Sequence, residues 1–298
     1  MHLYGLYADP AIHSLSPLLY NTAFMEEGIS SFYLAFTVPA ESLSGAISGM
    51  RSLDIKGINV SMPHKQAILS YLDRLTERAL LCGAVNTVVN ERGILTGCNT
   101  DVGGFIQAVR REDREIKGKH CILLGLGGAG CACLAGLAIE GAASVSIFVR
   151  RQNAEAHRLQ AETIGAKTGL PWELFDIGDR EALMQAMHKA DLVIQASDVG
   201  MQGEKAGQSL IPDASFFHAD MFAMDVIYRP AKTVFLKQAE RAGCRTANGL
   251  SMLLHQAALS FRLFTGRDLP MERVKKKLEE RGKIEKEITF ADRRGDLC

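Results

Sequence analysis

Short apolar runs recur along the chain, separated by Gly, Pro, Ser, Asn and Asp clusters and by longer stretches with helical spacing. That alternation predicts an α/β protein. In the first hundred residues, strands are expected over 3–7, 32–38, 58–61 and 87–90. Helices are expected between them: one capped by Ser16 with Pro17 in its first position and closed at Gly28, a second around 42–53, and a third over 63–72. From about Gly103 a helix leads to Gly118, followed by a regular β/α succession with strands over 121–124, 144–149, 192–194 and 222–227. These runs are almost wholly apolar, as in a parallel sheet covered on both faces. After Asn248-Gly249 a helix over 250–264 ends at Gly266, and another starts near Pro270. The expected architecture is an N-terminal α/β substrate domain over 1–102, completed by 249–280, and a Rossmann-like, doubly wound cofactor domain over 103–248. An active-site cleft is expected between them. Residues 281–298 are rich in charge and poor in apolar spacing, and a frayed helix or disordered tail is expected there.

Composition narrows the partners. The 298 residues carry 34 basic and 34 acidic side chains, so no net field draws the protein to nucleic acid or to an anionic membrane, and a small-molecule ligand is expected. Residues 121–139 hold no charge, yet five glycines interrupt them, and they divide into strand, turn and helix rather than a membrane span. The N-terminus lacks the basic start and apolar core of a signal peptide. Seven cysteines occur without a C-x-x-C pair or zinc-type spacing, which favours reduced thiols, no metal site and a cytoplasmic protein. A monomer or homodimer is expected.

Three segments within about forty residues carry polar groups with no evident role in packing. They are Asn59-Val60-Ser61-Met62-Pro63-His64-Lys65, Gly83-Ala84-Val85-Asn86-Thr87, and Asn99-Thr100-Asp101. Their grouping suggests convergence on a polar ligand. Lys65 and Asp101 either pin two loops as an ion pair or move a proton, since oxidising a secondary alcohol needs a group that accepts the hydroxyl proton as hydride leaves. Ser14-Leu15-Ser16-Pro17 places two hydroxyls at a helix start, where Ser16 caps the helix or the pair receives an anion. His13 and His64 adjoin these motifs and are assigned no role.

Gly125, Gly127 and Gly130 have the spacing G-x-G-x-x-G after an apolar run and before a small-residue helix, the context of a dinucleotide pyrophosphate site. Twenty residues further on, where an acidic residue serves the ribose 2′-hydroxyl of NAD, the chain has Val149-Arg150-Arg151-Gln152. Two guanidinium groups there favour the 2′-phosphate of NADP, with NAD as the alternative. Proton chemistry beside a dinucleotide points to a dehydrogenase.

In this order, S-L-S-P at 14–17, N-V-S-M-P-H-K at 59–65, G-A-V-N-T at 83–87, N-T-D at 99–101, G-L-G-G-A-G at 125–130 and N-G-L-S-M-L-L-H-Q at 248–256 resemble the shikimate dehydrogenase family, including its quinate/shikimate branch. The resemblance runs to about residue 280. It implies that Lys65 and Asp101 form the catalytic pair, with the formal base left open between them. It implies further that Ser14, Ser16 and Tyr228 hold the substrate carboxylate, while Ser61, Asn86, Asp101 and Gln256 bind ring hydroxyls. By the same resemblance Gly127, Gly128 and Ala129 meet the pyrophosphate, within the turn bounded by Gly125 and Gly130. Arg150 and Arg151 meet the adenosine ribose, and Asp198, Val226 and Gly249 lie towards the nicotinamide.

The chain departs from the family pattern at Val149 and Gln152, at Gln195-Ala196-Ser197 in place of Asn-Ala-Thr, and at Ser61 in place of a threonine common in biosynthetic members. The expected activity is interconversion of shikimate and 3-dehydroshikimate, extending to quinate, in the shikimate pathway of aromatic amino-acid biosynthesis. Two alternatives stand beside it: a dehydrogenase of a related hydroxylated ring acid, and a non-catalytic sensor that keeps the pocket.

Overall fold

The computed structural model of the chain describes residues 1–12 and 14–281. His13 and 282–298 lie outside the described residues, and with them the expected tail. In chain order the elements are β1 (His2–Ala8), α1 (Ser16–Glu26), β2 (Ser31–Thr37), α2 (Leu43–Ser52), β3 (Gly57–Val60), α3 (His64–Ala67), β4 (Arg74–Leu75), α4 (Glu77–Cys82), β5 (Thr87–Glu91) and β6 (Ile94–Cys98). They continue with α5 (Asp101–Arg111), β7 (His120–Leu124), α6 (Gly128–Ile139), β8 (Ser144–Val149), α7 (Ala154–Thr168), β9 (Trp172–Asp176), α8 (Arg180–Lys189), β10 (Leu192–Gln195), β11 (Phe222–Asp225), α9 (Val234–Arg241), β12 (Arg245–Ala247) and α10 (Leu250–Thr265). A last helix, α11, covers 271–281. The fold is α/β, as the alternating pattern predicts. The third helix is shorter than expected, because α3 gives way to a single 3-10 turn over Ile68–Tyr71. Four strands that the apolar pattern does not mark, β4, β6, β9 and β12, complete the sheets.

The chain divides into two compact units. The first comprises Met1–Arg74, Asn86–Gly97 and the chain from Ser260 on; the second comprises Leu75–Val85 and Cys98–Leu259. In the first, the strand order is β2-β1-β3-β5-β6-β4, with β1 parallel to β2 and β3, and β5 antiparallel to β3. Arg92 and Gly93 both take positive φ and turn the hairpin between β5 and β6, which matches the right-handed twist of its strands. The core is aromatic: Tyr20 and Tyr33 stack at 4.4 Å, and Phe24 lies 5.3 Å from Tyr4 and 5.7 Å from Phe261.

The buried polar groups around Asn59 are paired with one another. The Tyr33 hydroxyl donates to Asn59 Oδ1 at 2.8 Å, and Asn59 Nδ2 reaches Thr87 Oγ1 and Ser260 Oγ at 3.1 Å each and the Asn86 carbonyl at 3.3 Å. Burial, and then the neighbouring Tyr20, hold the Tyr33 phenol well above its ordinary value, so it stays a donor.

In the second unit the order is β9-β8-β7-β10-β11-β12, all parallel, which is the doubly wound arrangement. Helix α6 is apolar on every side because it is enclosed: Cys131, Ala132, Cys133, Leu134, Ala135 and Leu137 are all buried, and Gly136 admits the Phe105 ring of α5. The uncharged run over 121–139 is therefore a central strand, turn and helix. Among the described residues no helix is long and apolar enough to cross a membrane.

At the end of β11 the fully buried Asp225 accepts from Thr233 Oγ1 at 2.6 Å and from the Ile227 N–H at 2.9 Å. Burial nevertheless pushes its carboxyl up to about 6. A folded-state value above the unfolded one means the native state holds the proton more tightly. Stability from this group is therefore complete at about pH 4 and is lost as pH rises through about 6.

These buried groups make two predictions about stability. Relative to the parent, Asp225→Asn gains up to about 3 kcal/mol between pH 4 and pH 7, read from urea midpoints across that range, and a difference that does not vary with pH refutes it. Asn59→Ala, which removes the shared hub of this buried network, costs about 3 kcal/mol, whereas Tyr33→Phe, which leaves the rest of the network in place, costs about 1–2 kcal/mol. Equal losses in guanidinium unfolding contradict this ordering.

Candidate active site

In the first unit, β1 and β3 run parallel with Tyr7 opposite Val60, so their C-terminal ends share one edge of the sheet. The loop after β1 carries Ser14, and α1 begins at Ser16. The cap differs from expectation. Leu15, not Ser16, stands at the N-cap; Ser16 is the first helical residue, and Ser14 Oγ accepts its N–H at 3.1 Å. The Ser16 hydroxyl caps no helical N–H and is bonded instead to the Tyr33 phenol. Ser61 follows β3 directly, its N–H donating to the Tyr7 carbonyl at 2.9 Å. His64 is buried and its Nε2 donates to the Val38 carbonyl at 2.7 Å, an anchor that fixes the start of α3 and with it the half-buried Lys65. Strand β5 is antiparallel and begins where β3 ends, so Asn86 stands beside Val60 and its carbonyl accepts the Val60 N–H at 2.8 Å. The Thr87 hydroxyl lies 3.2 Å from Asn86 Oδ1. Ser14, Ser16, Ser61, Lys65 and Asn86 thus belong to the loops and element ends at one edge of this sheet.

In the second unit, Asp101 is the first residue of α5 and is buried. The neighbouring Asn99 acts as a structural brace. Its Oδ1 accepts the N–H groups of Asp101 and Val102 at 3.1 and 3.4 Å, and its Nδ2 donates to the Ala84 carbonyl at 2.9 Å. Gln256 Oε1 accepts from Thr100 Oγ1 at 3.5 Å. That approach depends on Gly104, where a Cβ would come within 2.8 Å of Gln256 Cβ.

The glycine-rich turn follows β7, and the sheet order reverses between β7 and β10, so the turn and the loop after β10 lie at the topological switch point. Gly130 packs against the turn itself, since a Cβ there would sit 2.4 Å from the Gly125 carbonyl oxygen. Gly127 caps α6 and has open space where a Cβ would be, leaving the N–H groups of Gly128 and Ala129 in the first turn accessible to an anion. These features fit a dinucleotide pyrophosphate. Beyond the turn, Gln195 is buried and holds the next loop in place: its Oε1 accepts from the Ser197 N–H and hydroxyl at 2.7 Å each, and its Nε2 donates to the Val199 carbonyl at 2.8 Å. Asp198 is ion-paired with Lys205, a partner that no motif marks. Val226, just past β11, donates its N–H to the Gln195 carbonyl at 2.9 Å. Gly249 lies so close to this strand end that a Cβ would meet the Val226 carbonyl oxygen at 1.9 Å, and its N–H donates to the Ile227 carbonyl at 3.0 Å. Tyr228 is half-buried, and burial raises its phenol.

Arg150 and Arg151 follow β8, with Arg150 exposed. Arg151 Nε meets Asp176 Oδ2 at 3.0 Å. Asp176 ends β9, a strand absent from the apolar pattern, so only the sheet register could bring it to notice.

Residues 6–88 match the family model described as the shikimate dehydrogenase substrate binding domain, and 249–279 match that of the shikimate 5'-dehydrogenase C-terminal domain. The chain is 41% identical over 274 residues to a quinate/shikimate dehydrogenase of Escherichia coli O17:K52:H18, covering 92% of this chain and 95% of that one. It is 40% identical to an NADP(+) shikimate dehydrogenase of Listeria monocytogenes serotype 4b, covering 92% and 94%. Among solved structures, shikimate 5-dehydrogenase from Listeria monocytogenes in complex with shikimate and NAD superposes with a TM-score of 0.88 at 39% identity, over 93% of this chain and 96% of that one. With this identity sustained over nine-tenths of its length, the chain belongs to the shikimate dehydrogenase family.

Proposed function

We propose that the protein is an NAD(P)-dependent oxidoreductase that interconverts shikimate and 3-dehydroshikimate and accepts quinate as a further substrate. The observation that carries this reading is the grouping of Ser14, Ser16, Ser61, Lys65 and Asn86 at one sheet edge of the first unit, in a chain whose second unit presents an open glycine turn at its switch point. Residues 1–102 and 249–280 serve the substrate, and 103–248 serve the dinucleotide. The relatives support the choice of ligands, since one is a quinate/shikimate dehydrogenase, one an NADP(+) shikimate dehydrogenase, and a solved one holds shikimate and NAD.

Oxidation at C3 removes a proton from the hydroxyl oxygen while hydride leaves the carbon. When bound, the nicotinamide takes up and returns that hydride. Lys65 and Asp101 handle the proton, one as base and the other orienting the hydroxyl. Ser14, Ser16 and Tyr228 anchor the ring carboxylate, and Ser61, Asn86, Asp101 and Gln256 bind the ring hydroxyls, so the reacting carbon is held in one orientation. The N–H groups of Gly127, Gly128 and Ala129, framed by Gly125 and Gly130, receive the pyrophosphate. Arg150 and Arg151 serve the adenosine ribose and favour NADP, while Asp198, Val226 and Gly249 border the nicotinamide side. The buried, unbridged cysteines among the described residues fit a reducing, cytoplasmic setting for a step of aromatic amino-acid biosynthesis.

Nicotinamide absorbance, followed with shikimate and quinate each against NADP and NAD, tests the reading: turnover of shikimate with NADP is expected, and silence in all four assays hands the site to a sensor or to another ring acid. Lys65→Ala is expected to lower kcat by about 10²–10⁴ with an unchanged unfolding midpoint. Retained turnover in that variant removes Lys65 from the proton transfer.

A further inference from the structure

The chain lacks a carboxylate at the usual place after its second cofactor-domain strand, but the fold supplies one from the neighbouring strand. Strands β8 and β9 are parallel with Val149 opposite Asp176, so Asp176 ends its strand beside the one that leads into Arg150 and Arg151. Both oxygens of Asp176 are engaged. Oδ2 accepts from Arg151 Nε at 3.0 Å, and Oδ1 accepts from the Gly178 N–H at 3.0 Å, which fixes the carboxylate on the tight turn after β9. The Arg151 side chain is 88% exposed beyond this contact, and Asp176 is 31% exposed. Arg150 makes no ion pair among the described residues and is exposed.

We propose that Asp176 is a specificity-determining residue for the dinucleotide, holding Arg151 and placing a negative charge at the adenosine-ribose position so that NAD is accepted alongside NADP. The inference rests on the reading of the glycine turn and the arginine pair as the dinucleotide site. A 2′-phosphate brings nearly two negative charges to this corner and needs the guanidinium groups for itself. Asp176 competes for one of them and repels the phosphate. A ribose 2′-hydroxyl, by contrast, is a hydrogen-bond donor that a carboxylate accepts. The corner therefore combines a cationic feature suited to NADP with an anionic one suited to NAD, and the balance between cofactors is set by the pair rather than by the arginines alone.

Asp176→Asn keeps an oxygen for the Gly178 N–H while removing the charge that holds Arg151. Titrating the parent protein and the variant with NADPH and with NADH by nicotinamide fluorescence is expected to show the NADPH-to-NADH affinity ratio rising about five- to tenfold in the variant. The KM for shikimate should stay unchanged. Arg151→Ala should weaken NADPH binding more in the Asp176→Asn background than in the parent, because only there is the guanidinium released. An unchanged ratio, or additive effects of the two substitutions, overturns the role of Asp176 while leaving the site intact. Failure of the parent to bind either dinucleotide overturns the site and the inference together.

Discussion

The amide of Asn59 is the interaction on which the first unit depends. It is a buried polar side chain in the middle of the sheet, and its cost is removed only because Tyr33 supplies a donor to its oxygen while Thr87, Ser260 and the Asn86 carbonyl accept from its nitrogen. Those partners come from β2, β5 with the residue before it, and α10, so one amide ties three separate parts of the chain to β3. The same set of bonds orders the loop ends. Tyr33 is bonded to Ser16, Asn59 to the Asn86 carbonyl, and Thr87 to the Asn86 side chain. Polar groups at the sheet edge are therefore positioned by a satisfied polar network behind them, which holds geometry better than apolar packing because each bond has a direction.

In the second unit the governing constraint is topological. The reversal of strand order between β7 and β10 leaves two adjacent strand ends whose following segments diverge, and the space above them is bounded by the glycine turn on one side and the 195–199 loop on the other. Gly130 and Gly249 are both required by backbone approach rather than by turn shape, and each brings a neighbouring loop closer to that edge than any side chain would permit. The carboxylate of Asp225 belongs to the same construction. Its two hydrogen bonds hold the Val226-Ile227 segment at the end of β11 and tie it to Thr233, at the price of a charge kept from water.

Much of this architecture is legible in the sequence because apolar runs and glycine spacing are local signals. The parallel strands β7, β8, β10 and β11 announce themselves as nearly unbroken apolar segments, and the G-x-G-x-x-G spacing lies between a strand and a helix as expected. Strands β9 and β12 do not, because they border the sheet and bury fewer side chains: β9 holds Trp172, Glu173 and Asp176, and β12 contains Arg245 and Thr246. The carboxylate beside Arg151 escapes notice for the same reason, since an edge strand found only by register carries it. Ser16 is the first helical residue rather than the expected cap, because sequence spacing alone does not say which of two hydroxyls two residues apart lies before the helix start. Asn99 has the look of a ligand group and is a cap, a distinction that depends on the direction of its amide. Ser61, Lys65 and Asn86 are recognisable as polar residues in an apolar setting, but their common edge follows from β5 running antiparallel to β3, and strand direction is not written locally.

The departures from the family pattern at Gln195 and Ser197 take their meaning from what those side chains do. A glutamine in place of asparagine is one methylene longer, and that length lets its Nε2 reach the Val199 carbonyl while its Oε1 still accepts from the backbone and hydroxyl of Ser197. The serine returns the contact and its own hydroxyl accepts the Val199 N–H at 3.2 Å. Each altered residue is thus satisfied by the other, and the loop they form carries Asp198, whose charge is met by Lys205. Such pairing is what burial demands of any polar side chain, since an unsatisfied buried amide costs more than a satisfied one gains. The paired change at 195 and 197 preserves a rigid turn beside the glycine-rich corner, which is the condition for holding a cofactor in one orientation. Residues that depart from the family pattern in sequence are thus a different way of building a rigid loop at the same place.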